Sequence, residues 1–108
     1  MQEHQIVDAI HKVIQQPHGW CYAASEAAYH LLGGKAAGYT PMVATYFIDC
    51  ERLTHWWLRR PDGSILDITE GQFSYKFPYK WGRGCGFLTK APSKKAQEII
   101  NAKIFSSC

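Results

Sequence analysis

Three residues able to do acyl chemistry occur in the order Cys21, His55, Asp67. Cys21 lies in "HGWCYAASEAAYHLLGG", where an irregular segment containing Pro17 and Gly19 hands over to an Ala-rich helical pattern. A thiol at a helix N-terminus feels the positive end of the helix dipole, which favours the thiolate. A neighbouring imidazolium would favour it further, and a carboxylate on the ring nitrogen away from the sulfur would orient the imidazole. Cys21, His55 and Asp67 in those roles form an activated nucleophile. Backbone N–H groups of the first helical turn would help to hold a developing oxyanion. Gln15, six residues before Cys21, is a candidate side-chain donor to the same oxygen; the plainer reading is a solvated glutamine at a helix end.

Two strands must bring His55 and Asp67 together. "THWWLRR" (54–60) and "SILDIT" (64–69) are rich in β-formers and flank "PDG". Pro61 presets its own φ, Asp62 suits a turn and Gly63 supplies a positive φ, which predicts a three-residue hairpin loop with a bulge at the glycine. Arg60 then pairs with Ser64, Trp57 with Asp67 and His55 with Thr69. His55, Trp57 and Asp67 share one face because side chains alternate with period two. Asp67 becomes the diagonal neighbour of His55, within reach of its ring. A two-residue loop would slip the register by one and send Asp67 to the opposite face.

A helix over 21–32 must deliver the thiol, and Gly33-Gly34 end it. Cys21, Ala24, Ser25 and Ala28 make one small-residue face, which permits close approach to a sheet. A first helix over 3–16 carries Ile6, Ala9, Ile10, Val13 and Ile14 at helical spacing and ends at Pro17. "KAAGYTP" reads as a loop and "MVATYFID" (42–49) as a strand. "EGQFSYKFPYKWGRG" reads as a long loop and "CGFLTK" as a short strand. A last helix follows Ser93, a plausible N-cap, with Ala96, Ile99, Ile100 and Ile104 on its apolar side. Helices, an antiparallel sheet and a closing helix predict an α+β fold in one domain over 1–108.

Composition agrees. Hydrophobic residues form 46% of the 108, enough for a core without staples. Charged residues form only 19%, which argues against disorder. The net charge of +3 is scattered, not the footprint of a nucleic-acid binder. No apolar run approaches ~20 residues, so no membrane contact is expected. The first residues lack the pattern of a signal peptide, so a cytoplasmic protein with free thiols is expected. Cys50, Cys85 and Cys108 are spaced too unevenly for a disulfide framework.

"GWCYAAS", "THWW" and "DGSILDIT" together resemble the papain-like and transglutaminase-like cysteine hydrolases. More closely, "HWWLRRPDGSILDITEGQF" is similar to the "H-Y-W-N…DG…IDLT…QF" pattern of small bacterial proteins of the YunG-like type. The resemblance spans roughly residues 15–73. It implies a helix-on-sheet core with Cys21 as nucleophile, His55 as base and Asp67 as orienting acid, and it sets Gln15 in the place of papain's glutamine. The chain is far smaller than papain and lacks its second domain, so a papain-like cleft is not implied.

The implied function is that of a cysteine-dependent hydrolase or acyl transferase on an amide-type bond: a protease, a deamidase or a transglutaminase-like enzyme. Its partner would be a protein, peptide or small amide substrate, and no cofactor is called for. Trp20, Trp57, Tyr79 and Trp81 are candidates to line the substrate site. The alternative is a catalytically inactive module of the same fold that binds a protein or a small anion. Two further readings compete. His18, Cys21, Cys50 and His55 could bind zinc, although their spacing is irregular. The aromatic run through Trp56, Trp57, Phe73, Tyr75, Phe77, Tyr79 and Trp81, with Lys76, Lys80 and Arg83 interleaved, could stack on bases or simply wall the core. The oligomeric state is open.

Overall fold

A computed structural model describes residues 2–14, 20–48, 50–69, 77–87 and 90–106. The fold is α+β: helices α1 (Glu3–Val13), α2 (Cys21–Leu31) and α3 (Lys94–Ser106) pack against an antiparallel sheet. Its strands are β1 (Thr40–Ile48), β2 (Glu51–Arg59), β3 (Ile65–Leu66) and β4 (Arg83–Gly84), in the order β3-β2-β1-β4. Short 3₁₀ turns lie at Gly34–Ala37, within the expected loop, and at Tyr79–Trp81.

The helical periodicity becomes the core. Ile6, Ile10 and Ile14 from the α1 segment meet Ala23, Ala24, Ala27 and Ala28 of α2 and Ala96, Ile99 and Ile100 of α3. Leu58, Leu66 and Ile68 join them from the sheet side. Each fully buried Ile or Leu here contributes about 1.5–3 kcal/mol of transfer free energy. The alanines let α2 lie close to both neighbours. Ser93 does cap α3: its Oγ accepts the Ala96 N–H at 3.3 Å. Helix α1 ends at Val13, three residues before the expected end; residues 15–17 lie outside those described.

The β2–β3 hairpin has the expected register, with Arg59 opposite Ile65 and Leu58 opposite Leu66. The Arg60 N–H donates to the Ser64 carbonyl at 2.8 Å, the Gly63 N–H to the Arg60 carbonyl at 2.9 Å, and Gly63 has φ +88°. That is a turn closed by a left-handed glycine, as "PDG" requires.

Two strand expectations need correction. The strand expected over 64–69 pairs only at Ile65–Leu66. Beyond it, Asp67 turns the chain by accepting the Thr69 N–H on its own Oδ1 at 3.1 Å, and the His11 ring Nε2 donates to the Ile68 carbonyl at 2.7 Å. Local side-chain bonds of this kind displace ladder bonds. Of the short strand expected in "CGFLTK", residues 85–87 are not strand and 88–89 lie outside the described residues; a short strand forms at Arg83–Gly84, inside the segment expected to be loop. Phe87 packs between Tyr22, Tyr29 and Trp56, which draws its segment toward α2.

Candidate active site

The short β3 creates the position that Cys21 occupies. In an antiparallel ladder, alternate residues point their peptide groups to the same side. The Arg60–Ser64 bond shows that even-numbered residues of β2 face β3. Because β3 stops at Leu66, the carbonyls of Trp56 and Thr54 run past its end. Helix α2 comes in against this open edge. Ser25 Oγ donates to the Trp56 carbonyl at 3.2 Å, and Cys21 Sγ lies 3.9 Å from the Thr54 carbonyl. Cys21 and Ser25 are four residues apart, one turn on a single helix face, so two small polar side chains meet two successive outward carbonyls. The spacing of this pair is visible in the sequence; the carbonyls it serves are not.

His55 and Asp67 are joined as the register requires. His55 Nε2 donates to Asp67 Oδ2 at 2.7 Å, with the two side chains 1% and 0% exposed. Asp67 accepts hydrogen bonds from His55, from the Thr69 N–H on Oδ1, and from the Tyr79 hydroxyl on Oδ2 at 2.7 Å. A buried carboxylate with this many donors is well compensated. Burial works against the charged imidazole. The hydrogen bond to Asp67, an interaction with the Cys21 side chain, and the charges of both outweigh it, so His55 holds its proton above the ordinary imidazole range. With Nε2 committed to Asp67, Nδ1 is the nitrogen left for the sulfur.

An aromatic shell surrounds the imidazole. Trp57 stacks beside it at 5.6 Å with rings 25° apart, and Phe77 meets it at 4.8 Å. Tyr79 packs on both Trp57 and Phe77. The turn carrying Tyr79 is pressed onto Trp57: a Cβ at Gly82 would come within 2.2 Å of the indole.

The four residues expected to line the substrate site take different positions. Trp57 is 1% exposed and belongs to the shell, because its indole is enclosed by Phe77, Tyr79 and the Gly82 backbone. Tyr79 is tied by its hydroxyl to Asp67. Trp20 packs on the aliphatic core, with Lys95 Nζ 4.3 Å over its ring. Of the four candidates, Trp81 alone is well exposed, at 61%. Gln15 lies outside the described residues, as do His18, Phe73, Tyr75 and Lys76. Trp20 stands at the N-cap of α2 and makes no side-chain cap hydrogen bond among the described residues.

Of the zinc reading, His18 lies outside the described residues, and Cys50 and His55 are set apart along one strand. Cys50 sits at the β1–β2 turn with φ +67°, and four residues of extended strand lie between it and His55, about 16 Å of chain. Among the described residues no group of three or more His, Cys, Asp or Glu side chains could hold a metal ion. Among them, too, no helix is long and apolar enough to cross a membrane. Ser25 is a site residue to which sequence reasoning gave no role, and Tyr79, expected to line the substrate site, hydrogen-bonds Asp67. Nothing in the spacing of Tyr79 links it to Asp67, twelve residues earlier.

Comparison with protein-family models, with characterised proteins and with solved structures gives no match.

Proposed function

We propose that this chain is a cysteine-dependent hydrolase or acyl transferase acting on an amide-type bond, of papain-like or transglutaminase-like character. The observation that supports it most is the buried His55–Asp67 bond coupled to a half-exposed thiol. A structural His–Asp pair needs no sulfur beside it. Here the Cys21 side chain interacts with His55 and is only partly buried.

The roles follow from the chemistry. Cys21 gives its proton to His55 Nδ1, and the thiolate attacks the substrate carbonyl carbon. The carbonyl π electrons move onto oxygen, where the first-turn amides of α2 can donate. Collapse of that oxyanion breaks the C–N bond, and the imidazolium returns its proton to the departing amine. The product is a thioester on Cys21 and a neutral imidazole. A water molecule, deprotonated by His55, then releases a carboxylic acid. An amine in the same place gives a new amide. Asp67 stays ionised throughout and holds the ring.

Alkylation by iodoacetamide near neutral pH tests this. Cys21 should react faster than Cys50 and Cys85, and His55→Ala should remove the advantage. Equal, slow reaction of the three thiols would instead favour a binding module. Intact-mass detection of an acyl adduct on Cys21 after exposure to an activated ester, absent in Cys21→Ala, would extend the result to acyl transfer.

A further inference from the structure

Asp67 Oδ2 receives two donors, the His55 Nε2–H and the Tyr79 hydroxyl, both at 2.7 Å. Tyr79 is not adjacent by chance. It sits on the 3₁₀ turn Tyr79–Trp81, whose last carbonyl bond, from the Gly82 N–H to the Tyr79 carbonyl, is 2.9 Å. Gly82 lets that turn close onto Trp57. The phenol is therefore aimed by backbone and packing.

We infer that Tyr79 is a positioning residue of the triad: its hydroxyl carries part of the Asp67 charge, so that His55 can release its proton to a leaving group. This rests on the functional reading above. While the imidazole is charged, Asp67 is compensated by the ion pair. Once the imidazole has handed its proton on, the carboxylate is left buried with the neutral ring, and the phenol and the Thr69 N–H carry more of its charge. The step moves one proton from Nδ1 to the amine nitrogen; Tyr79 keeps its proton and Asp67 takes none. A donor that stabilises the lone carboxylate more than the paired one favours release.

Among the described residues the ionisable groups around the imidazole are Cys21 from α2, Asp67 after β3 and, through Asp67, Tyr79; Tyr46 of β1 packs on Phe77 beside it. Removing the phenol leaves the whole Oδ2 charge to the imidazolium. Tyr79→Phe should therefore raise the His55 titration midpoint, by about half a pH unit or threefold in proton affinity, a gain of about 0.7 kcal/mol.

The test is NMR titration of histidine-labelled full-length protein, wild type and Tyr79→Phe, with His55 assigned through His55→Gln. An upward midpoint supports the role; an unchanged or lower midpoint overturns it. Should the Phe variant not fold, the wild-type protein labelled at tyrosine Cζ serves: the Tyr79 signal should move through the His55 midpoint, and a flat signal overturns the role. Cys21 alkylation measured alongside separates the two ideas. A slow thiol with a raised midpoint removes the enzyme but keeps the Tyr79–Asp67–His55 coupling; a fast thiol with a fixed midpoint does the reverse.

Discussion

The aliphatic core and the aromatic shell are built from neighbouring residues of one strand and behave differently. Leu58 joins isoleucines and alanines from three helices. Trp57, one residue earlier, joins Ala44, Phe77, Met42, Tyr46 and Tyr79. The first region is built from apolar side chains, with Glu26 buried at its edge, where its Oε1 accepts the Ser93 N–H. The second encloses an ion pair, and it does so with flat rings that exclude water while leaving one hydroxyl to reach the carboxylate. Packing in the aliphatic core is tolerant of shape as long as volume is kept. In the shell, position matters more than volume, because a 1 Å error parts a donor from its acceptor.

Substitutions can break this contrast. The largest effect is expected from Asp67→Asn, which should lower Cys21-dependent turnover by roughly 10³- to 10⁴-fold, with the melting temperature much less affected. Turnover and calorimetry on the same samples check it. Next comes Ile99→Ala in the aliphatic core, fully buried in α3. It should cost about 2–5 kcal/mol in urea unfolding and leave the alkylation rate of the folded protein unchanged.

Two glycines sharpen the comparison further. Gly82→Ala drives a methyl into the Trp57 ring and should cost about 1–3 kcal/mol while slowing Cys21 alkylation. Gly63→Ala has open space around its Cβ but φ +88°. It should cost about 1–2 kcal/mol through the backbone alone. Thermal melts and alkylation rates on both variants distinguish the two.

The smallest effect is a pH slope. His55 binds its proton more tightly folded than unfolded, where the ordinary value is 6.5. The stability this contributes is complete below that value and is lost as pH rises through the higher folded midpoint. Melting temperatures across this range should show the fall in wild type, and Asp67→Asn should flatten it.

The two regions also differ in how far they can be read from residue order. The isoleucines of α1 and α3 recur with a period of 3.6, so their burial follows from local spacing. "PDG" carries its own turn chemistry, and alternation along the two strands puts His55 and Asp67 on one face; the 2.7 Å contact is the result. Trp57 also satisfies the alternation, yet alternation does not say whether a face is open or covered. That depended on Phe77 and Tyr79 arriving from beyond the hairpin.

Cys21 at a helix start, the α+β order and the hairpin register are properties of short stretches, decided by backbone preferences and side-chain period. The length of β3 and the location of β4 are not. Asp67 can extend a strand or turn the chain, and its competing bonds to Thr69, His55 and Tyr79 end the ladder. That early end exposes the Thr54 and Trp56 carbonyls to Cys21 and Ser25. The site therefore depends on where a strand stops, and hydrogen-bond competition between residues far apart in the chain sets that point.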